Sequence, residues 1–458
     1  MSGFDSGRVH FVGIGGAGMS AIAKVLLERG IEVSGSDLKR SKAIGVLEAT
    51  GAVVSIGHDA GAVAGAGLVV ISSAIPETNP EVIAARDAGI EVIARGRALA
   101  LILEGSEPVI VAGTHGKTTT TSMIVSLLRS AEIDPTYLIG GGLNDSGTNA
   151  RHGSGSLSVA ESDESDGSFL LLKPHVAVVT NVEADHLDHW GSFEKIVDAF
   201  DRWLSQVDPD GTICVPSGNE HLITVARSTG RRVLTFGDEG DVAATNVSFD
   251  VPGASFDVTS EGETRSVVLK VRGAQIVYNA LAAASACLAT GMSLESVARG
   301  LEGYRGVERR FQKRGEAAGV IVIDDYAHHP TEIKAVLAAS RPGPWRRVIA
   351  LFQPHRYSRT QSFFEEFGRS FSGADRIVIT DIYGAGEAPR PGVTGKLVSD
   401  SIAGNLPGRS IAYLPHRNEV LDYLAVNLRP GDMVLTLGAG DVTAYGDELL
   451  GRLREAKA

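Results

Sequence analysis

Val109-Ile110-Val111-Ala112-Gly113-Thr114-His115-Gly116-Lys117-Thr118-Thr119 decides the fold class. A short apolar run ends abruptly in a glycine-rich turn, and the turn opens a helical period with apolar positions at Met123, Ile124, Leu127 and Leu128. A run that is apolar throughout fits a strand covered on both faces, and strand–turn–helix is the repeating unit of α/β proteins. The backbone amides of such a turn cradle phosphates; Lys117 can neutralise the terminal ones, and the Thr118 hydroxyl can reach Mg²⁺. The common phosphate loop is G-x-x-x-x-G-K-[ST], whereas here only two residues separate Gly113 from Gly116. The competing reading is a glycine-rich turn with a surface lysine, but strand, turn and helix all agree with a phosphate loop.

Outward from this segment the same apolar runs recur at Val9–Gly13, Val176–Asn181, Val320–Asp325, Val348–Gln353, Ile377–Asp381 and Met433–Gly438. Their polar ends are the first place to look for chemistry, because ligands of open α/β sheets gather beyond the carboxyl ends of strands. Residues 241–272 alternate instead, as in Ser255-Phe256-Asp257-Val258, and predict antiparallel strands. Breaks at Gly105-Ser106-Glu107-Pro108 and near Lys313-Arg314-Gly315 predict three domains, 1–105, 106–313 and 314–458.

Gly13-Ile14-Gly15-Gly16-Ala17-Gly18 fits G-x-G-x-x-G after a strand. The next helix carries Met19, Ile22, Ala23, Leu26 and Leu27 on one face, Gly30 is its expected stop, and a strand at Ile31-Glu32-Val33 leads to Asp37. Glycines permit close backbone approach, a helix N-terminus attracts a diphosphate, and an acidic residue at Asp37 can meet a ribose hydroxyl. On these residues alone NAD, another nucleotide ligand and a plain tight turn all stand.

Composition narrows the class. The 458 residues are 43% apolar and 21% charged, which suits packed soluble domains rather than a disordered chain. Glycine, at 55 residues, exceeds the usual share of ~7% and signals many tight turns. The net charge of −12 and the lack of a basic stripe argue against nucleic acid. No apolar run approaches the ~18 residues of a membrane span, and the first residues lack a signal peptide's pattern. Cys214 and Cys287 form neither a disulfide framework nor a metal pattern. The expectation is a cytoplasmic protein with no membrane partner.

The short G-T-H-G-K-T-T loop, Glu161-Ser162-Asp163-Glu164-Ser165-Asp166 and Thr180-Asn181-Val182-Glu183-Ala184-Asp185-His186-Leu187-Asp188 together resemble the Mur ligases of peptidoglycan synthesis. Asp324-Asp325-Tyr326-Ala327-His328-His329-Pro330 and Phe352-Gln353-Pro354-His355-Arg356-Tyr357-Ser358-Arg359-Thr360 extend the resemblance to nearly the whole chain. It implies a Rossmann-like first domain, a central P-loop ATPase-type α/β domain and a Rossmann-like C-terminal domain. The implied activity joins L-alanine to the carboxylate of UDP-N-acetylmuramate through an acyl phosphate, with ATP and Mg²⁺, in a monomer or weak homodimer. A relative that adds a preformed peptide to the same sugar is the alternative; an NAD-dependent oxidoreductase rests on Gly13–Gly18 and Asp37 alone.

By this resemblance the first loop holds a UDP-sugar, through Gly15, Gly18, Asp37, Ser72, Ser73 and Ala74. Gly113, Thr114, His115, Gly116, Lys117, Thr118 and Thr119 hold ATP together with Asn279, Arg310 and Asp325. Thr118, Glu161 and His186 surround Mg²⁺, although histidine is an uncommon ligand for that ion. Lys117, His186, Arg310 and Asp325 are the implied catalytic set, and Tyr326, His355, Arg356 and Arg359 hold the amino acid. The segment 352–359 reads as a loop presenting two arginines. One departure concerns adenine: the family usually reads G-x-H-N-x-x-N, but this chain has Gly273-Ala274-Gln275-Ile276-Val277-Tyr278-Asn279. Gln275 can still hydrogen-bond and Ile276 cannot, which leaves that contact open.

Overall fold

The computed structural model describes residue 4 and residues 7–455, apart from 186, 250–252 and 274. Three sheets follow one another along the chain. The first holds β1 (Arg8–Val12), β2 (Val33–Asp37), β3 (Val53–Ile56), β4 (Ala66–Ile71) and β5 (Glu91–Ala94) in the order β3-β2-β1-β4-β5, all parallel. Order reverses after β1, so the crevice beyond its carboxyl end is the natural ligand position.

The second sheet comprises β6 (Glu107–Ala112), β7 (Thr136–Leu138), β8 (Ala150–Arg151), β9 (Leu157–Glu161), β10 (Val176–Val179), β11 (Thr212–Pro216), β12 (Arg232–Phe236), β13 (Val242–Ser248), β14 (Ala254–Ser260) and β15 (Glu263–Leu269). Its order is β15-β14-β13-β12-β11-β10-β6-β9-β7-β8, with β6, β9, β10 and β11 parallel and β6 central to the phosphate loop. Burial alternates residue by residue along β14, so one face is covered and the other wet, as the sequence pattern predicts.

The third sheet holds β16 (Gln312–Ala317), β17 (Val320–Asp325), β18 (Arg347–Phe352), β19 (Arg376–Ile379), β20 (Ser410–Tyr413) and β21 (Asp432–Leu437). Its order is β16-β17-β21-β18-β19-β20, parallel except for the β16–β17 pair. Val348, Ala350, Phe352 and Leu435 pack into one core cluster, while Ile349, Leu351 and Val434 pack into another. Alternate residues thus bury both faces, which is why these strands read as unbroken apolar runs.

By internal packing the chain forms two compact units: Met1–Val247 with Ser255–Leu269 and Val277–Gly306, and Ser248–Ala254 with Lys270–Ile276 and Val307–Ala458. In the first unit one core runs from Phe4 to Ala226 and spans the first two sheets. Phe169 is fully buried in it, 5.0 Å from the Phe200 ring and 5.7 Å from Trp203. Truncating such a fully buried phenylalanine to alanine costs about 3–5 kcal/mol. The helix after the first glycine loop, Ala17–Glu28, buries Met19, Ile22, Ala23, Val25 and Leu26. It stops at Gly30, whose φ of +80° closes the turn back to Leu27.

Candidate active site

In the first unit two loops lie at the carboxyl ends of strands. Gly13 and Ile14 amides both donate to the Ser36 carbonyl (2.8 and 3.0 Å), which curls the first loop onto the end of β2. Gly15 N donates to Asp37 Oδ2 at 2.9 Å, while Asp37 Oδ1 accepts from Lys39 N at 3.2 Å. Asp37 therefore organises the loop before it meets any ligand. A Cβ at Gly15 would stand 2.9 Å from that same oxygen, so the glycine is required by its close neighbours. Ser72, half-buried, and the exposed Ser73 and Ala74 follow β4. They lead into Ile75, whose Cδ1 comes within 3.4 Å of the Cβ position at Gly13. The structure thus brings Gly15, Gly18, Asp37 and the Ser72–Ala74 turn to the carboxyl end of one sheet.

The second loop joins β6 to the helix Lys117–Ser130. Gly113 has φ +130°, and a Cβ there would meet Thr180 Oγ1 at 2.2 Å; Gly116 has φ +82°, with Asn279 Oδ1 at 2.5 Å from its Cβ position. No other residue type fits either place without displacing these groups. Thr180 and Asn181, at the end of β10, clamp the turn. Asn181 Oδ1 accepts from His115 N (2.9 Å), and Thr180 Oγ1 and Asn181 Nδ2 donate to the His115 carbonyl (2.6 and 3.0 Å). The Thr114 hydroxyl accepts from Glu183 N at 2.8 Å. His115 faces Glu183 at 3.4 Å. Thr119 is buried along the helix.

Lys117 and Thr118 each meet an acidic partner. Lys117 Nζ donates to Glu164 Oε2 (2.9 Å), Glu164 Oε1 (3.2 Å) and the carbonyls of Gly113 and Thr114. Burial works against the ammonium, but Glu164, Asp163 and Glu161 outweigh it and hold Lys117 charged, above the usual lysine range. Burial also pushes Glu164 up to about 7, against the pull of Lys117. Thr118 Oγ1 donates to Glu161 Oε1 at 2.8 Å, and Glu161 Oε2 accepts from Gly140 N at 2.8 Å. A hydroxyl beside a carboxylate is the all-oxygen donor set that Mg²⁺ prefers. His186 lies outside the described residues.

Beside the loop opens a cavity of about 540 Å³, lined in part by Asn181, Glu183, Asn219, Gly237, Asp238 and Tyr278. Tyr278 packs edge-on against Phe236 at 5.2 Å and donates to the Thr180 carbonyl at 3.2 Å. Asn219 and Gly237–Asp238 follow β11 and β12; the strand-end rule that found the phosphate loop reaches them once those two strands are recognised. Ile276 is buried and so fills the core rather than facing a ligand, whereas Gln275 is exposed, with φ +51°.

In the second unit Asp324 and Asp325 end β17. Asp324 is fully buried and takes hydrogen bonds from Thr436 Oγ1 (2.6 Å), Thr443 Oγ1 (2.9 Å) and Arg309 Nε (3.2 Å). Asp325 accepts from the Phe311 and Ala327 amides, both at 2.8 Å. Its burial raises its pKa to about 6 against the pull of Arg310. The guanidiniums of Arg309 and Arg310 lie over the Tyr326 ring at 4.9 and 5.2 Å. Ring contacts then lead from Tyr326 to His328 (5.2 Å), His355 (5.7 Å) and Tyr383 (5.7 Å, stacked).

Burial lowers His328 to about 3, with Glu332 opposing and Arg359 adding. Burial, Arg359 and Arg356 lower His355 to about 4. Both imidazoles are neutral at pH 7, and His355 Nδ1 is buried with no hydrogen-bond partner among the described residues. One expectation is corrected. The loop ends at Arg356, held at φ +68° by its amide's bond to the Tyr383 carbonyl (2.9 Å), and a helix runs from Tyr357 to Gly368. Arg359 therefore projects from a helical first turn and is 9% exposed. His328, Arg309 and Glu332 join the cluster although the sequence reading gave them no role. The H-x-x-E spacing of His329 and Glu332, which forms a capping box on the helix Pro330–Ser340, was the available signal.

The chain matches three family models in succession: Mur ligase family, catalytic domain, over residues 8–106; Mur ligase middle domain, over 111–287; and Mur ligase, glutamate ligase domain, over 309–440. It is 45% identical to a UDP-N-acetylmuramate–L-alanine ligase of Geotalea daltonii, covering 98% of each chain. With the enzyme of that name from Rubrobacter xylanophilus it shares 47% identity, over 97% of this chain and all of that one. Among solved structures it resembles UDP-N-acetylmuramate-alanine ligase MurC of Thermotoga maritima (TM-score 0.84, 28% identity, 98% and 99% coverage). A murein peptide ligase of Psychrobacter arcticus shares the fold (TM-score 0.75, 23% identity, 98% coverage of each chain). With this agreement across its whole length, on an α/β fold with both loops at strand ends, the chain belongs to the Mur ligase family.

Proposed function

We propose that the chain joins L-alanine to the carboxylate of UDP-N-acetylmuramate and converts ATP to ADP and phosphate, as a cytoplasmic step of peptidoglycan precursor synthesis. A carboxylate has no leaving group. Its oxygen therefore attacks the γ-phosphorus of ATP and ADP departs, which leaves an acyl phosphate. The amine of alanine, neutral once its ammonium has lost a proton, attacks the acyl carbon; the C–O bond breaks, phosphate leaves with the oxygen, and the nitrogen gives up a further proton to the departing phosphate or to water. The first step brings two anions together, so fixed positive charge is the main requirement.

The observation that carries this reading is the pairing of Lys117 and Thr118 with Glu164 and Glu161 at the mouth of the phosphate loop. Lys117 supplies the permanent cation for the β- and γ-phosphates, and the amides of Gly113–Thr119 wrap them. Thr118 and Glu161, joined by His186, would hold Mg²⁺, which screens the phosphate charge when bound. Asn279 and the cavity beside Tyr278 suit the adenosine end. Gly15, Gly18, Asp37 and Ser72–Ala74 are assigned to the UDP-sugar, and Arg310 and Asp325 to the ATP side of the second unit. Tyr326, His355, Arg356 and Arg359 are assigned to alanine: two guanidiniums for its carboxylate, with neutral imidazoles beside its amine. The division of labour follows 1–105, 106–313 and 314–458.

Phosphate release from ATP tests the reading. It should require UDP-N-acetylmuramate and L-alanine together, and a preformed tripeptide in place of alanine should give little. Release that ignores the sugar, or prefers the tripeptide, would overturn it.

A further inference from the structure

Arg95 opens the helix Arg95–Leu103 directly after β5, and its side chain reaches across to the first glycine loop. A Cβ at Gly18 would stand 2.8 Å from Arg95 Nη1 and 3.2 Å from its Cδ, so glycine at 18 makes room for this arginine. No residue from Gly13 to Ser20 carries a charge. Besides Arg95, the charge set against the loop is negative: Asp37 Oδ2, at the end of β2, holds the Gly15 amide at 2.9 Å. A diphosphate entering this crevice brings about two further negative charges beside Asp37, and loop amides alone must then offset both. A guanidinium against the same loop answers that demand, with a planar fork that can grip two phosphate oxygens.

Arg95 is also lightly held. Its partner is Asp166, at 3.6 Å, and both side chains are more than a quarter exposed. Such a long, half-wet pair exchanges readily for a stronger anion. We propose that Arg95 is a further binding residue for the diphosphate of the nucleotide-sugar substrate, resting on Asp166 until the substrate takes it over. The assignment rests on the UDP-sugar reading given above. Asp166 belongs to the segment that also carries Glu161 and Glu164, so the exchange loosens a contact of the segment that holds Thr118 and Lys117.

Calorimetric titration of the full chain with UDP-N-acetylmuramate, UDP and UMP tests this, with MgATP binding and thermal unfolding as controls for folding. Arg95→Ala should weaken UDP and UDP-N-acetylmuramate at least tenfold and UMP less than threefold. Arg95→Lys should fall between. Asp166→Asn should bind the UDP-sugar as well as the wild type or more tightly, because it frees the arginine. If the wild type binds the UDP-sugar and Arg95→Ala binds it within twofold, the inference fails while the reading beneath it stands. If Asp166→Asn weakens binding as much as Arg95→Ala, the pair is a structural strut and the inference again fails. If the wild type binds neither UDP nor the UDP-sugar, the UDP-sugar reading falls and takes the inference with it. Should Arg95→Ala not fold, Arg95→Lys, expected to weaken the UDP-sugar, and Asp166→Asn, expected not to, carry the same test.

Discussion

Lys117 Nζ lies 2.9 Å from Glu164 Oε2, a buried ion pair at the mouth of the phosphate loop. The lysine proposed to meet ATP is thus already matched by an anion of the protein, and two carbonyls of its own loop accept its other hydrogen bonds. A buried pair of this kind contributes little net stability, but removing one partner strands the other at a cost of about 3–5 kcal/mol.

Lys117→Ala should abolish phosphate release while leaving UDP-N-acetylmuramate binding within about threefold, roughly 0.7 kcal/mol. The stranded Glu164 should also destabilise the fold, more at pH 8 than at pH 6, where it can protonate. Adding Glu164→Gln to Lys117→Ala should restore most of that stability without restoring activity. Denaturant midpoints of the three proteins at both pH values check this; equal midpoints for single and double variants would contradict it.

Glu161→Gln should raise the Mg²⁺ concentration needed for half-maximal activity at least fivefold, because a neutral amide is a poorer ligand for a hard cation. Thr118 keeps a hydrogen-bond partner in this variant, so the protein should fold normally. A metal titration that superimposes on the wild type would return the Thr118–Glu161 bond to a purely structural role.

Arg359→Lys should raise the KM for L-alanine at least tenfold, about 1.4 kcal/mol of lost binding, since lysine cannot copy a two-bond grip on a carboxylate. The KM values for ATP and UDP-N-acetylmuramate should barely move. A rise in all three would show that Arg359, buried in its helical turn, supports the second unit as a whole.

His328 and His355 are held near 3 and 4, below the ordinary histidine value of ~6.5, so the native state disfavours their protonation. The stability this represents is complete above pH ~6.5 and is lost as pH falls toward those values. Asp325, raised to about 6, has the opposite sign: its contribution is present at low pH and lost as pH rises through 6. From pH 7 to 5 the histidines together lose on the order of 4 kcal/mol and Asp325 returns about 1, so the second unit should weaken toward acid. His328→Gln should flatten that slope by about two-thirds, measured by denaturant titration; an unchanged slope would show that His328 does not set the acid sensitivity.

Much of this was legible beforehand because continuous apolar runs mark parallel strands. Val9, Val109, Val176, Val320, Val348, Ile377 and Met433 all fall in β1, β6, β10, β17, β18, β19 and β21. Both glycine loops were legible too, since φ > 0 and close neighbours at Gly113 and Gly116 leave no choice of residue. Strands with less apolar character escaped, such as β16 (Gln312–Ala317), whose place is set by pairing with β17 rather than by its own pattern. The helix at Tyr357 reads as loop in the sequence because Pro354 and the polar residues around it favour a turn, whereas Arg356 absorbs the bend in a single left-handed residue. The local sequence gives Glu164 and His328 no role, for their importance lies in contacts with Lys117 and His355 from distant parts of the chain.

The most direct test of the central claim is phosphate release from MgATP by the wild-type chain, measured with each substrate withheld in turn. Full release, and a new amide product, should appear only with UDP-N-acetylmuramate and L-alanine both present. Release with the sugar alone should be limited to a trace of acyl phosphate breakdown. Steady turnover with L-alanine in the absence of the sugar, or none with both substrates present, would contradict it.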